Sequence, residues 1–345
     1  MHPGATLTLA FALAVALVLI STPQAARVAL RTGFLDHPLG YKQHGRATPY
    51  LGGSAVMLAF LVPALLWGGL SDTFLALGLG AVALWMLGTL DDRINLSPWL
   101  RMGVEALAGA GLWLADLGWN VFSADLLNLV LTVVWVIGIV NAFNLMDNLD
   151  GATGTVAVAV AVGIATFALI DHDAQLAAIA GALAGACLGF LRYNLARPAR
   201  IFLGDGGSMP IGFIAAGAAL AAADSAQVGA AALPLGAMIV GLVILDTTLV
   251  TISRRRRCVP LLTGGRDHLT HRLLTMTGSP QAVAAMLATL QLALCGVAAM
   301  AAQHGRHAVL WSAAATLLIG IAVIAVLEVR FGTPVRAAAP AGSRE

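Results

Sequence analysis

Charge is what this sequence has least of. Only 10% of its 345 residues are charged and 59% are hydrophobic, against roughly a quarter charged in an ordinary soluble domain. That scarcity excludes a soluble globular protein. Apolar runs recur along almost the whole length, each long enough to cross a hydrocarbon layer of about 30 Å, and the polar connections between them are short. There is no room for a separate soluble domain of normal size.

Other absences narrow the reading further. The three cysteines, Cys187, Cys258 and Cys295, are isolated and form no C-x-x-C pair, which excludes a disulfide framework and a zinc site. A net charge of +2 gives no footprint for nucleic acid. There is no duplicated motif, and no Gly-Lys-Ser/Thr follows the glycine-rich turn near Gly204, so that turn is not a Walker A loop. No Lys or Arg precedes the first apolar run, about Ala5 to Ser21, whereas Arg27 and Arg31 follow it. The run therefore reads as a retained first span with its N-terminus outside, not as a cleaved signal peptide.

What is present is an all-α polytopic membrane bundle of ten or eleven transmembrane helices. The spans begin near Ala5, Tyr50, Phe74, Met102, Leu126, Thr153, Leu176, Met209, Gly229, Ala282 and Ala308. One domain is expected over 1–331, followed by an Ala-, Pro- and Gly-rich cytoplasmic tail over 332–345 that is expected to be disordered. With the N-terminus outside, all but Arg306 of the 19 basic residues fall on the inner face, as the positive-inside rule requires. Asp72, Asp116, Asp125, Asp171, Asp173 and Asp224 lie at the outer loops and read as solubilising caps. Asp36, Asp91, Asp92, Asp147, Asp150, Asp205 and Asp267 share the inner face with the basic residues.

Five inner-face stretches carry chemistry. The first loop holds Lys42, His44 and Arg46, cations suited either to phosphate charge or to simple anchoring. Asp91-Asp92-Arg93 ends a span with adjacent carboxylates that repel unless a cation or a proton is shared, and magnesium fits such hard oxygen ligands. Asn141 to Gly151 places Asn144, Asp147 and Asp150 at three-residue spacing, one face of a helix. The amides of Asn141 and Asn144 suit a base or a sugar, or alternatively bond neighbouring helices. Phe202-Leu203-Gly204-Asp205-Gly206-Gly207-Ser208 reads as a helix N-terminus aimed at an anion, with Asp205 beside it for a metal.

The fifth stretch runs from Arg254 through Arg257 to Arg266-Asp267-His268-Leu269-Thr270-His271-Arg272. The four arginines read as an orientation anchor that also attracts anionic lipid headgroups. His268 and His271 suit diphosphate binding or proton transfer. Deeper in the spans, Glu105 and Asp246 are intramembrane carboxylates, either functional or paired with Arg101, Arg254 or Thr hydroxyls.

Together and in this order, these segments resemble the polyprenyl-phosphate N-acetylhexosamine-1-phosphate transferases, the superfamily that includes phospho-MurNAc-pentapeptide transferase. The resemblance covers about Asp36 to Leu274 and includes Asn194. It implies an enzyme of the bacterial cytoplasmic membrane, with its site on the cytoplasmic face. Such an enzyme moves a sugar 1-phosphate from a UDP-N-acetylhexosamine to a polyprenyl phosphate, releases UMP, uses magnesium or else manganese, and starts cell-envelope polysaccharide synthesis.

By the same resemblance Asp91 is the acid that deprotonates the lipid phosphate or attacks as nucleophile, with Asp92 in support, and Asp205 is the metal ligand. Asn144, Asp147 and Asp150 form the nucleotide and catalytic cluster, and Phe202 stacks on uracil. His268 and His271 contact diphosphate or sugar, and Lys42, His44, Arg46, Asn194, Arg266 and Arg272 are substrate contacts.

Departures exist. Asn148 stands where the family has Gly, Ala152 where it has Leu, and an extra residue lies between Asn194 and Pro198. The consecutive histidines of the pentapeptide enzyme are missing, which points to the branch using simple UDP-N-acetylhexosamines. Two rivals are an intramembrane prenyltransferase, for which Asp91-Asp92-Arg93 lacks a third acid, and a secondary transporter built on midplane carboxylates. The oligomeric state stays open, a homodimer being one option.

Overall fold

The computed structural model describes residues 1–36, 47–261 and 265–331. Lys42, His44 and Arg46 lie outside the described residues, as does the 332–345 tail.

Among the described residues the chain is helical apart from one short pairing. Helix α1 (Pro3–Thr32) leads into β1 (Leu35–Asp36), which pairs antiparallel with β2 (Thr48–Pro49), Leu35 opposite Pro49. Then follow α2 (Gly52–Gly68), α3 (Asp72–Ile94), α4 (Pro98–Leu114), α5 (Asp125–Met146), α6 (Ala152–Ile170), α7 (Ala174–Asn194) and α8 (Asp205–Ser225). A 3-10 turn (Gly229–Ala231) precedes α9 (Ala232–Ile239), α10 (Gly241–Arg256), α11 (Leu269–Thr277), α12 (Pro280–Gln303) and α13 (Arg306–Phe331).

Each expected span falls on a helix or within two residues of its start. Among the described residues eight helices, α1, α3, α5, α6, α7, α8, α12 and α13, are long and apolar enough to cross a membrane alone. A ninth crossing is broken, since Gly229–Ile239 and α10 meet at a bend of 75°. Helices α2 and α4 have 17 residues each, about 25 Å at 1.5 Å per residue. The nine-residue α11 is not a span; it is a short helix at the basic end.

Lipid tails are as apolar as leucine, so helices in a bilayer associate through close packing of small residues. Helix α8, rich in Ala and Gly, is the hub: 94% of its apolar window is buried, against 11% for α13, which faces outward. On α7, Gly181, Gly185 and Gly189 recur every fourth residue against α1, where a Cβ would meet the main chain at Leu7 and Phe11 and the side chain of Val18. On α3, Gly88 lies against the main chain of Asp205 at the start of α8. That approach brings the last turn of α3, which carries Asp91 and Asp92, onto the first turn of α8.

Local signals set the ends. Ser97 and Ser279 accept the Leu100 and Ala282 N–H groups at 3.4 Å each, and each is followed by a proline at the first helical position. Alternation of the spans then gathers the C-terminal ends of α3, α5 and α7 and the N-terminal ends of α4, α6 and α8 at one end of the bundle.

Gly88→Ala is expected to destabilise the protein by about 1–3 kcal/mol, the usual cost of overpacking, seen as a lower thermal unfolding midpoint in detergent. Gly78→Ala, with nothing within 4 Å of the added carbon, is the control; equal midpoints for the two would contradict the close approach.

Candidate active site

The adjacent carboxylates at the end of α3 diverge. Asp91 turns to α4: its Oδ1 accepts the Leu96 N–H at 2.5 Å and its Oδ2 accepts from Arg101 Nη1 at 2.7 Å. Asp92 turns to α8, where its two oxygens accept the Asp205 and Gly206 N–H groups at 2.9 and 3.1 Å. Repulsion between neighbours is thus relieved by two different positive partners, a guanidinium and a helix N-terminus. The expectation that this N-terminus points at a substrate anion is corrected: its first two N–H groups hold Asp92. Gly204 makes this possible, with φ +75° and no Cβ to strike the Asp92 carboxylate.

Arg101 ties the rest together. Its Nη1 also lies 3.3 Å from Asp205 Oδ2, and its Nη2 donates to Asn144 Oδ1 at 3.0 Å. Asn144 Nδ2 in turn donates to Asp205 Oδ1 at 2.8 Å and Ser208 Oγ at 3.0 Å. Asn141 does otherwise: its amide donates to Glu105 Oε2 at 2.6 Å, bonding α5 to α4.

In front of this layer opens a cleft of about 1290 Å³, lined by Asn144, Asp147, Asp150, Asn148, Phe202 and the α10–α11 connection. Asp91, Asp92 and Asp205 are not among its lining residues; Asn144, which does line it, bonds Asp205 and receives Arg101. Burial, reinforced by the Asp205 charge, pushes the Asp147 carboxyl up to about 8. Phe202 meets Tyr50 edge to face at 6.2 Å, and burial, followed by nearby carboxylates, raises the Tyr50 hydroxyl well above its ordinary value. Asn148 bonds the Leu145 carbonyl at 2.6 Å and accepts the Thr270 hydroxyl, so it joins the α5–α6 turn to the start of α11.

The α10–α11 connection forms the opposite wall. Arg254, expected as an anchor at the membrane surface, is instead 2% exposed and grips Asp267 with two bonds of 2.8 and 2.9 Å. Arg257 adds a third at 2.9 Å. Burial alone raises the Asp267 carboxyl, but the hydrogen bonds and charge of Arg254 hold it below its ordinary value. Arg266, His268 and His271 line the cleft. Burial, with His268 and Arg266 nearby, lowers the His271 imidazole below its usual range.

Two expected substrate contacts, Arg272 and Asn194, line the cleft and also brace the fold. Arg272 is 4% exposed and donates to the Asp267 and Leu327 carbonyls, Ser253 and Glu328, tying α11 to α10 and α13. Asn194 accepts the Gly151 N–H at 2.7 Å and donates to the Ile201 carbonyl at 3.1 Å, bracing the entry to α6. Conversely, Arg101 and Tyr50 stand in the site although the sequence argument gave them no role there. For Arg101 the signal was available: a cation at the start of a helix, ten residues after Asp91.

Among the described residues no three His, Cys, Asp or Glu side chains form a ready-made metal cage. Magnesium is usually held by one or two carboxylates with substrate phosphate and water completing its shell. The hard oxygens of Asp205 and Asp91, which meet at Arg101 Nη1, fit that mode.

A membrane-spanning helix bundle with carboxylates, amides and arginines gathered at one end of a wide cleft defines a membrane-embedded enzyme for anionic substrates. Residues 74–223, from α3 through α8 and including Asp91 to Asp205, match the family model described as "Glycosyl transferase family 4". The protein of Bacillus subtilis (strain 168) named "Probable undecaprenyl-phosphate N-acetylglucosaminyl 1-phosphate transferase" is 31% identical, over 78% of this chain and 77% of that protein. The "Decaprenyl-phosphate N-acetylglucosaminephosphotransferase" of Mycolicibacterium smegmatis is 32% identical, over 72% and 70%. A "Phospho-N-acetylmuramoyl-pentapeptide-transferase" of a Synechococcus species is 33% identical but covers 52% and 57%. The chain belongs to glycosyl transferase family 4.

Removing Arg101 leaves two carboxylates without their cation. Arg101→Met is expected to cost about 3 kcal/mol, the lower range for breaking a buried pair, and adding Asp205→Asn is expected to recover part of it; a thermal midpoint unchanged by Arg101→Met would contradict the role. Asp147 gives a pH signature, because a carboxyl raised from about 4 to about 8 loses stability as pH rises between those values. Without divalent cations, Asp147→Asn is expected to gain in midpoint over the wild type from pH 5 to 8 and then level off; a flat difference would refute the shift.

Proposed function

We propose that this protein transfers N-acetylglucosamine 1-phosphate from UDP-N-acetylglucosamine to a polyprenyl phosphate at the cytoplasmic face of a bacterial inner membrane. UMP leaves, and the lipid-linked sugar feeds envelope polysaccharide synthesis. The observation that carries this reading is the two-layer site, in which Asn144 joins the Asp91–Arg101–Asp205 node to a cleft wide enough for a nucleotide sugar.

Transfer between two anions needs positioning and charge neutralisation more than covalent chemistry. An oxygen of the lipid phosphate attacks the sugar-linked phosphorus, and the bond from that phosphorus to UMP breaks. Asp91, held by Arg101 and the Leu96 N–H, accepts the lipid phosphate proton in this reading. Phe202, backed by Tyr50, offers an aromatic face to uracil, and Asp147, protonated up to about pH 8, offers a donor to the base. Arg266, His268 and His271 face the diphosphate and sugar from across the cleft. Magnesium, or manganese in its place, would be held by Asp205 and supply neutralisation of the diphosphate.

The Bacillus and Mycolicibacterium relatives, named for N-acetylglucosamine, support the sugar assignment. The missing consecutive histidines and the shorter Synechococcus match count against the pentapeptide reaction. A transporter would work through midplane carboxylates, but Asp246 is held by His268 and Leu269, and one oxygen of Glu105 is held by Asn141. The basic residues gathered at the site's end of the bundle support the cytoplasmic orientation.

The test supplies the purified protein in lipid with magnesium, polyprenyl phosphate and a panel of UDP-sugars, followed for UMP. UDP-N-acetylglucosamine is expected to give UMP only with the lipid phosphate present, and Asp91→Asn or Asp205→Asn to lower the rate about 10²-fold or more. Folded protein that releases no UMP from any sugar would overturn the proposal.

A further inference from the structure

Asp246 sits midway along α10 with 0% of its surface exposed. A carboxylate inside a spanning helix needs partners, and both of its oxygens have one from across the α10–α11 connection. Oδ2 lies 2.9 Å from His268 Nδ1, and Oδ1 accepts the Leu269 N–H at 2.6 Å. The His268 ring is only 4% exposed, yet the residue lines the cleft. With Nδ1 engaged by Asp246, Nε2 is the ring nitrogen that this contact leaves for the cleft. The nearer acid in sequence, Asp267, does not compete for the ring, because Arg254 and Arg257 already engage its oxygens.

We propose that Asp246 is a positioning residue. It holds His268 with the proton on Nδ1, donated to Asp246 Oδ2, and so presents Nε2 to the bound nucleotide sugar. The second oxygen secures the first turn of α11, so one buried carboxylate sets both the tautomer of His268 and the backbone that carries it. A ring free to turn or to change tautomer would offer the substrate a different atom. The catalytic part of this proposal rests on the transferase reading; the tautomer does not.

Asp246→Asn separates the two jobs. The amide oxygen keeps the Leu269 N–H, so α11 stays in place, but the amide nitrogen facing His268 donates to Nδ1 and forces the ring proton onto Nε2. The readout is nitrogen NMR of the histidine-labelled full-length protein in lipid nanodiscs, with His268 identified by its loss in His268→Gln. The wild type is expected to show His268 protonated at Nδ1, and Asp246→Asn to show it at Nε2.

UMP release is expected to fall about 10–100-fold in kcat in Asp246→Asn, the range for losing a group that orients a ligand, and Asp246→Glu to keep more of it. In a His268→Gln background the same Asn substitution is expected to change the rate less than about twofold, because its effect runs through the ring. A wild-type ring carrying its proton on Nε2 overturns the proposal, and needs no variant. An equal loss in both backgrounds also overturns it, by assigning Asp246 a role in folding alone. Absence of UMP from wild-type protein would sink the transferase reading, while the NMR result still decides whether Asp246 sets the ring.

Discussion

The site depends on one constraint: three carboxylates must share one end of a helix bundle where little water reaches them. Such charges do not stay together without positive partners. Arg101 supplies one, with a planar fork that reaches Asp91, Asp205 and Asn144 at once, a geometry that a lysine cannot provide. The start of α8 supplies the other by receiving Asp92. Both demand that α3 and α8 nearly touch, which Gly88 permits.

From that node the site extends in layers. Asn144 is the link, since its oxygen faces Arg101 and its nitrogen faces Asp205 while the residue itself lines the cleft. Across the cleft the α10–α11 connection is held by arginines that line the cleft and also bind carboxylates: Arg254 and Arg257 on Asp267, Arg272 on Glu328. Arg266, His268 and His271 line the cleft beside them. A run of four arginines thus divides its work, part of it buried framework and part of it surface charge, with Arg256 63% exposed beside Glu328.

Much of this was legible in one dimension. Ten of the eleven apolar runs each became one helix and the run from Gly229 a broken pair, and the motifs at Asp91, Asn144, Asp205 and His268 came to one end because spans of alternating direction place them there. Less legible were the partners. Arg101 entered as a marker of orientation and a possible partner of Glu105, and Tyr50 as the start of a span, since nothing local distinguishes a cation that organises carboxylates from one that anchors a helix. Asn194 and Arg272 read as substrate contacts because their motifs are polar and sit among reactive residues; their hydrogen bonds to Gly151, Ile201 and Glu328 depend on segments up to 56 positions away.

The sequence by itself determined that this is an all-α membrane protein, where its helices lie, and which residues have the chemistry for handling phosphates. Hydropathy and helix caps are properties of short stretches, so they can be read without neighbours. Only the tertiary structure decided what each polar group holds: that Asp92 caps α8, that Asp91 faces Arg101, that Asp246 takes His268. Electrostatics and hydrogen bonding act through a few ångströms of space, and Asp92 and Asp205 become neighbours only after 113 positions of chain have folded between them.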